Sequence, residues 1–141
     1  MPANTAPIFS TKGAIQWNPA ILSTANTAKD GTGSVATIFT GQTAGNAAGN
    51  FVQRLIARPL GTNVATVLRV FINNGSTNTT AANNSLIAEM TPPATALSET
   101  SAQPDYVLPL NFALPAGYKI NCAIGTAVAA GFAVSVIGGE Y

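Results

Sequence analysis

The side chains able to do acid–base or nucleophilic chemistry are few: Asp30, Glu89, Glu99, Asp105, Glu140 and the single Cys122, with no histidine anywhere in the chain. Without histidine there is no Ser-His-Asp triad, no Cys-His pair and no imidazole base. Zinc sites built on histidine or several cysteines are equally out of reach. The acids form no D-x-D-x-D run, so a calcium loop of the EF-hand kind is absent. Glycoside hydrolysis needs two carboxylates brought together by folding, and nothing in their spacing pairs them. Gly41, Gly45 and Gly49 resemble a phosphate loop only superficially, because no Lys-Ser/Thr follows them. Asn74, Asn78 and Asn83 head glycosylation-acceptor triplets, which arise by chance in so Asn/Thr-rich a loop. Cys122 lies in an apolar run and reads as a small buried hydrophobe. It has no second cysteine with which to form a disulfide. No catalytic residue, cofactor or metal is expected.

The elements that would position such groups must be built from an unusual composition. The chain has 141 residues, of which 8% are charged and 47% hydrophobic, with a net charge of +1. A typical soluble domain is about 25% charged. The missing charge is replaced by Thr, Asn, Ser, Ala and Gly, so a core can form under a charge-poor surface. The length suits one domain. The six cations are scattered from Lys12 to Lys119 and make no basic patch. Binding to nucleic acid or to an anionic membrane is therefore not expected. The opening MPANTAPIFSTKG has neither a basic nor an apolar signal region, so no signal peptide is expected.

Residues 122–139, CAIGTAVAAGFAVSVIGG, carry no charge and approach the length of a membrane span. They divide into two alternating halves, Ile120-Cys122-Ile124 and Phe132-Val134-Val136, around a small-residue turn. Period two predicts two buried strands instead. The same period recurs over Thr11–Trp17, Val35–Thr40, Phe51–Arg58, Val64–Asn73, Leu86–Thr91, Tyr106–Leu114, Tyr118–Gly125 and Gly131–Glu140. Val64–Asn73 reads as the longest strand, ending in the turn Asn73-Asn74-Gly75. Pro109 inside a strand pattern predicts an edge strand or a bulge. The expectation is an all-β, single-domain, eight-stranded antiparallel β-sandwich of jelly-roll type over residues 11–141, preceded by an extended N-terminal arm, residues 1–10. Polar Thr/Asn/Gly loops (Ser23–Ser34, Gly41–Asn50, Gly75–Ser85) join the strands.

Interface candidates follow from the strand phases. On Val64–Asn73 one face holds Leu68, Val70 and Ile72, and the other holds Val67, Arg69 and Phe71. A strand apolar on both sides is covered on both sides. In a two-sheet sandwich, another chain is the expected second cover, which makes a homo-oligomer the expectation. Arg54 and Arg58 share a face and suit a docking register. Trp17, the lone tryptophan, suits an interface anchor or a core cap. Ile8 and Phe9 make the arm apolar, either as a frayed terminus or as a docking segment.

The segments LRVFINNG (Leu68–Gly75), SLIAEMTPPATALSET (Ser85–Thr100), LPLNFALPAGYKI (Leu108–Ile120) and VSVIGGEY (Val134–Tyr141) resemble small virion proteins of tailed bacteriophages. The resemblance is to the jelly-roll decoration, or cement, proteins of the outer capsid, and it runs over the C-terminal half. It implies a homotrimer seated on the major capsid protein at the capsid exterior, made in the bacterial host cytoplasm, that clamps neighbouring subunits against internal pressure. It implies no catalytic residues. A tail, neck or head-fibre component, and a carbohydrate- or receptor-binding jelly roll, are the alternatives.

Overall fold

A computed structural model describes residues 10–44 and 49–141. Most of the N-terminal arm, with Ile8 and Phe9, lies outside the described residues. Eight strands follow in chain order: β1 Lys12–Trp17, β2 Ala36–Thr40, β3 Asn50–Pro59, β4 Leu68–Asn73, β5 Asn84–Met90, β6 Tyr106–Leu114, β7 Lys119–Ile124 and β8 Phe132–Glu140. One 3₁₀ turn, Ala81–Asn83, precedes β5. Strands β1 to β7 each stop at, or within two residues before, a Gly, Pro or Asn. At Asn73-Asn74-Gly75, the Asn73 Oδ1 accepts from Gly75 N (2.9 Å) while Gly75 takes φ +93°, a conformation that favours glycine.

The strands form two four-stranded antiparallel sheets, ordered β1-β8-β3-β6 and β2-β7-β4-β5. Pairing is nested: β1 with β8, β2 with β7, β3 with β6, and β4 with β5. The chain is thus one long hairpin whose outermost segments pair with each other, rolled into a sandwich. That is the jelly roll expected from the strand count. The charge-free stretch 122–139 is not a helix, and its two halves are β7 and β8. Among the described residues no helix is long and apolar enough to cross a membrane.

Period two decides what lies between the sheets. Val52, Leu55 and Ala57 of β3 meet Phe132, Val134 and Val136 of β8 on one side. Leu68 and Val70 of β4 meet Ile120, Cys122 and Ile124 of β7 on the other, all at 1% exposure or less. Burial without a charged neighbour pushes the Cys122 thiol far above its ordinary pKa, so it stays protonated.

The sheet edges are guarded. Pro109 sits on edge strand β6, beside a register shift opposite Val52–Arg54 and an Asn111 at φ +53°. Both the edge position and the bulge match the expectation for a strand proline. At the opposite corner, Gln16 Nε2 donates to Thr40 O (3.0 Å) and Thr40 N donates to Gln16 Oε1 (2.9 Å), closing β1 against β2.

One boundary differs from the sequence expectation by more than two residues. β4 starts at Leu68, not Val64, and the longest strand is β3 with ten residues. Pro92 and Pro93 bring no N–H to the ladder opposite residues 64–67. Thr66 instead donates from its N to Pro92 O (3.1 Å) and from its Oγ1 to Thr126 O (3.1 Å). Val64 is left more than half exposed.

Candidate functional site

A sandwich has two outer faces, and here they are finished differently. On the outer face of β2-β7-β4-β5, β4 places Arg69 and Phe71 beside Ala123 and Asn121 of β7. Phe71 and Ala123 are wholly buried and Arg69 is 8% exposed, all within the single chain. The β1–β2 connection passes over this face. Asn26 N donates to Ile124 O (2.7 Å), and Asn26 O accepts from Arg69 Nη1 (3.2 Å). The Arg69 guanidinium lies against Gly125, where a Cβ would come within 3.3 Å of it. Its Nε donates to Glu89 Oε1 (2.9 Å) on the neighbouring strand, so the covered cation is paired.

Amides hold this cover in place. Asn26 Nδ2 donates to Thr32 O and Ser34 O, both at 2.8 Å, and Asn26 Oδ1 accepts from Ala28 N (3.0 Å). Asn78 Nδ2 donates to Gly31 O (3.1 Å) and Gly33 O (2.9 Å), and Asn84 packs its Cβ on Gly31. Asn74, Asn78 and Asn83 therefore spend their side-chain donors on loop carbonyls or on one another.

The expectation that a second chain covers Arg69 and Phe71 is corrected here. The chain covers them itself, through a loop whose polar sequence carries no strand or helix signal. Neither residue is offered to a partner. Val67, just before β4, is half-buried beside a shallow groove of about 430 Å³ bounded by Pro92, Pro93 and Thr126.

The outer face of β1-β8-β3-β6 has no such cover among the described residues. Register places Ile15, Ile137, Arg54 and Pro109 in one row, and Trp17, Ser135, Ile56 and Val107 in the next. Trp17 is 67% exposed, Ile15 59% and Val107 51%. Isolated exposed apolar residues are ordinary, but a contiguous patch of them marks an interaction surface. At one end Trp17 borders a shallow groove of about 380 Å³ with Ile21, Ile56, Arg58 and Ala133.

Trp17, Arg54 and Arg58 are thus brought together on one face, as the strand phases anticipated for the two arginines. Their electrostatics differ. Arg58 donates from Nε and Nη2 to both oxygens of Asp105 (2.5 and 2.9 Å). That hydrogen bonding holds the Asp105 carboxyl below its usual range and raises the Arg58 guanidinium. Arg54 has no carboxylate in ion-pair range among the described residues.

Ile15, Ile56, Val107 and Ile137 escaped the sequence reading. Their signal was present in the alternation Gly13-Ile15-Trp17 and Arg54-Ile56-Arg58. Without the strand order, however, these short runs are not seen to adjoin. Among the described residues no three His, Cys, Asp or Glu side chains converge to hold a metal.

Fold and surface together define an eight-stranded jelly roll with one outer face covered by the chain itself and the other bare among the described residues. Set against known protein families, curated proteins and solved structures, the chain matches none of them.

Proposed function

We propose that this chain is a structural virion protein that binds the outer capsid as an oligomer and stabilises the shell, in the manner of a decoration protein. The observation that carries this reading is the bare apolar face of Ile15, Trp17, Ile56, Val107 and Ile137 on a charge-poor jelly roll. Such a face gains free energy when it leaves water, at about 25 cal/mol per Å² of apolar area. A surface poor in long charged side chains loses little side-chain entropy when it is immobilised in a lattice. Several weak contacts per oligomer add up through avidity. The resemblance of the C-terminal half to small phage virion proteins supports the same reading, with the major capsid protein as partner and a trimer as the assembly. Fold alone does not assign function, since jelly rolls host many.

The test is mass spectrometry of purified virions from the source phage, followed by cryo-electron microscopy of the particles. The expected result is many copies per particle seated on the outer shell. Absence from purified particles refutes the reading, and density confined to tail or neck moves it to a different virion part.

A glycan-binding reading has one observation in its favour, the exposed Trp17 beside a groove. Two of the polar side chains at that groove, Asn18 and Arg58, are already committed. Asn18 Nδ2 donates to Phe132 O and its Oδ1 accepts from Val134 N, while Arg58 is held by Asp105. Sugar hydroxyls would find few free partners there, so the structural reading is favoured.

A further inference from the structure

We propose that the bare face of β1-β8-β3-β6 seats the Leu97–Glu99 loop tip of a second copy of this chain, so that copies assemble through a contact between Arg54 and Glu99. This deepens the oligomeric part of the proposed function and rests on it, while standing independent of virion attachment.

The charge arrangement selects the occupant. Arg54 lies in the middle of the apolar rows, flanked by Ile137 and Pro109 across the sheet and followed on its own face by Ile56. Covering it with an apolar partner would strip water from an unpaired cation, which is costly. Whatever seats on this face must therefore bring a carboxylate set among apolar groups.

The chain's five acidic side chains all fall within the described residues. Glu89 and Asp105 are paired with Arg69 and Arg58. Asp30 accepts from Thr32 N and Thr32 Oγ1 in its own turn. Glu140 is half-buried at the end of β8. Glu99 alone is exposed with neither a paired cation nor a hydrogen bond to its carboxylate among the described residues, and it stands two positions from Leu97, which is 58% exposed.

The tip is pre-shaped, which lowers the ordering cost of docking. Leu97 N donates to Thr62 Oγ1 (3.0 Å), Thr95 Oγ1 donates to Gly61 O (2.9 Å) and Gln103 Nε2 donates to Ala96 O (2.8 Å). Thr100 N donates to Ser98 Oγ (3.2 Å), closing the turn that carries Glu99. Face and tip are different parts of the same chain, so every copy both offers and receives the contact, reciprocally about a two-fold axis or head to tail around a ring.

The test is light-scattering mass of the full chain and of three variants at matched concentrations, with circular dichroism confirming that each is folded. Wild type is expected at a multiple of 14.3 kDa. Arg54→Glu and Glu99→Arg are each expected to need at least about tenfold more protein to assemble. The combined Arg54→Glu/Glu99→Arg chain is expected to regain wild-type assembly, because the pair is restored with its signs exchanged. A monomeric wild type overturns the proposal and gives the face to another protein. So does a single variant that assembles as wild type, or a folded double variant that remains monomeric. Recovery in the double variant, with no copies on virions, would sustain the contact between copies and refute the virion reading.

Discussion

The two outer faces of this sandwich each carry an arginine among apolar neighbours, and they treat it in opposite ways. Arg69 is under cover, its side chain 10% exposed, and it is paired with Glu89 and with a loop carbonyl. Arg54 is exposed and has no acid within reach. A buried cation without partners would be severely penalised, so the covered face had to bring its own anion and acceptor. The bare face leaves its cation to water, or to whatever docks there. One strand phase thus ends as internal packing and the other as surface, and the difference is made by a loop of about a dozen residues.

The largest effect separates the aromatics of the two faces. Phe71→Ala removes a wholly buried ring from beneath the loop and should cost about 3–5 kcal/mol of stability. Trp17→Ala on the bare face should change the stability of the single chain by no more than about 0.5 kcal/mol. Urea denaturation reads both, and similar losses would erase the distinction between covered and bare.

The charges should divide in the same way. Glu89→Gln keeps a hydrogen-bond acceptor but removes the charge opposing Arg69, and should cost about 1–3 kcal/mol. Arg54→Gln should leave the stability of the single chain, read by urea denaturation at concentrations below assembly, unchanged within about 0.5 kcal/mol. A costly Arg54→Gln under those conditions would mean that Arg54 has a partner within its own chain.

A smaller loss is expected at the amide that shapes the cover. Asn26→Ala removes two donated hydrogen bonds and one accepted one, and should cost about 1–2 kcal/mol. Backbone amides over residues 24–34 should then exchange with solvent faster, while those of β3 and β8 keep their protection. Unchanged exchange in the loop would show that apolar contact alone holds it.

The smallest effect concerns the Arg58–Asp105 pair at the rim of the bare face. Hydrogen bonding from Arg58 lowers the Asp105 pKa in the folded chain. A lowered folded pKa contributes stability that is present above the unfolded aspartate's pKa and lost as pH falls through the folded one. Both side chains are about half exposed, so solvent screening keeps the gain small. Thermal midpoints of wild type and Asp105→Asn should differ slightly at neutral pH and converge in acid. Divergence on acidification would reverse the assigned sign.

Much of the fold was readable because its signals are local. Tyr106–Leu114 matches β6 residue for residue, and most other strands fall within one or two positions of their alternating runs. Pro109 announced an edge, and Asn73-Asn74-Gly75 a turn, because missing donors and left-handed backbone are properties of residue type. Val64–Val67 alternates as a strand does yet lies outside β4, because its ladder partner is interrupted by two distant prolines. Of the candidate interface residues, Trp17, Arg54 and Arg58 converged on one surface. Arg69 and Phe71 went inside, and no local pattern marks a polar loop as a lid.

By itself, the sequence determined that this chain is all-β, how many strands it has, and which residues share a side of each strand. Side-chain alternation and turn chemistry act within a few residues. Only the tertiary structure decided which side becomes surface. That depends on strand order, which sets Ile15, Ile137 and Arg54 side by side, and on the Asn26 loop folding back over β4 and β7. Those contacts join residues far apart in the chain, where periodicity carries no information.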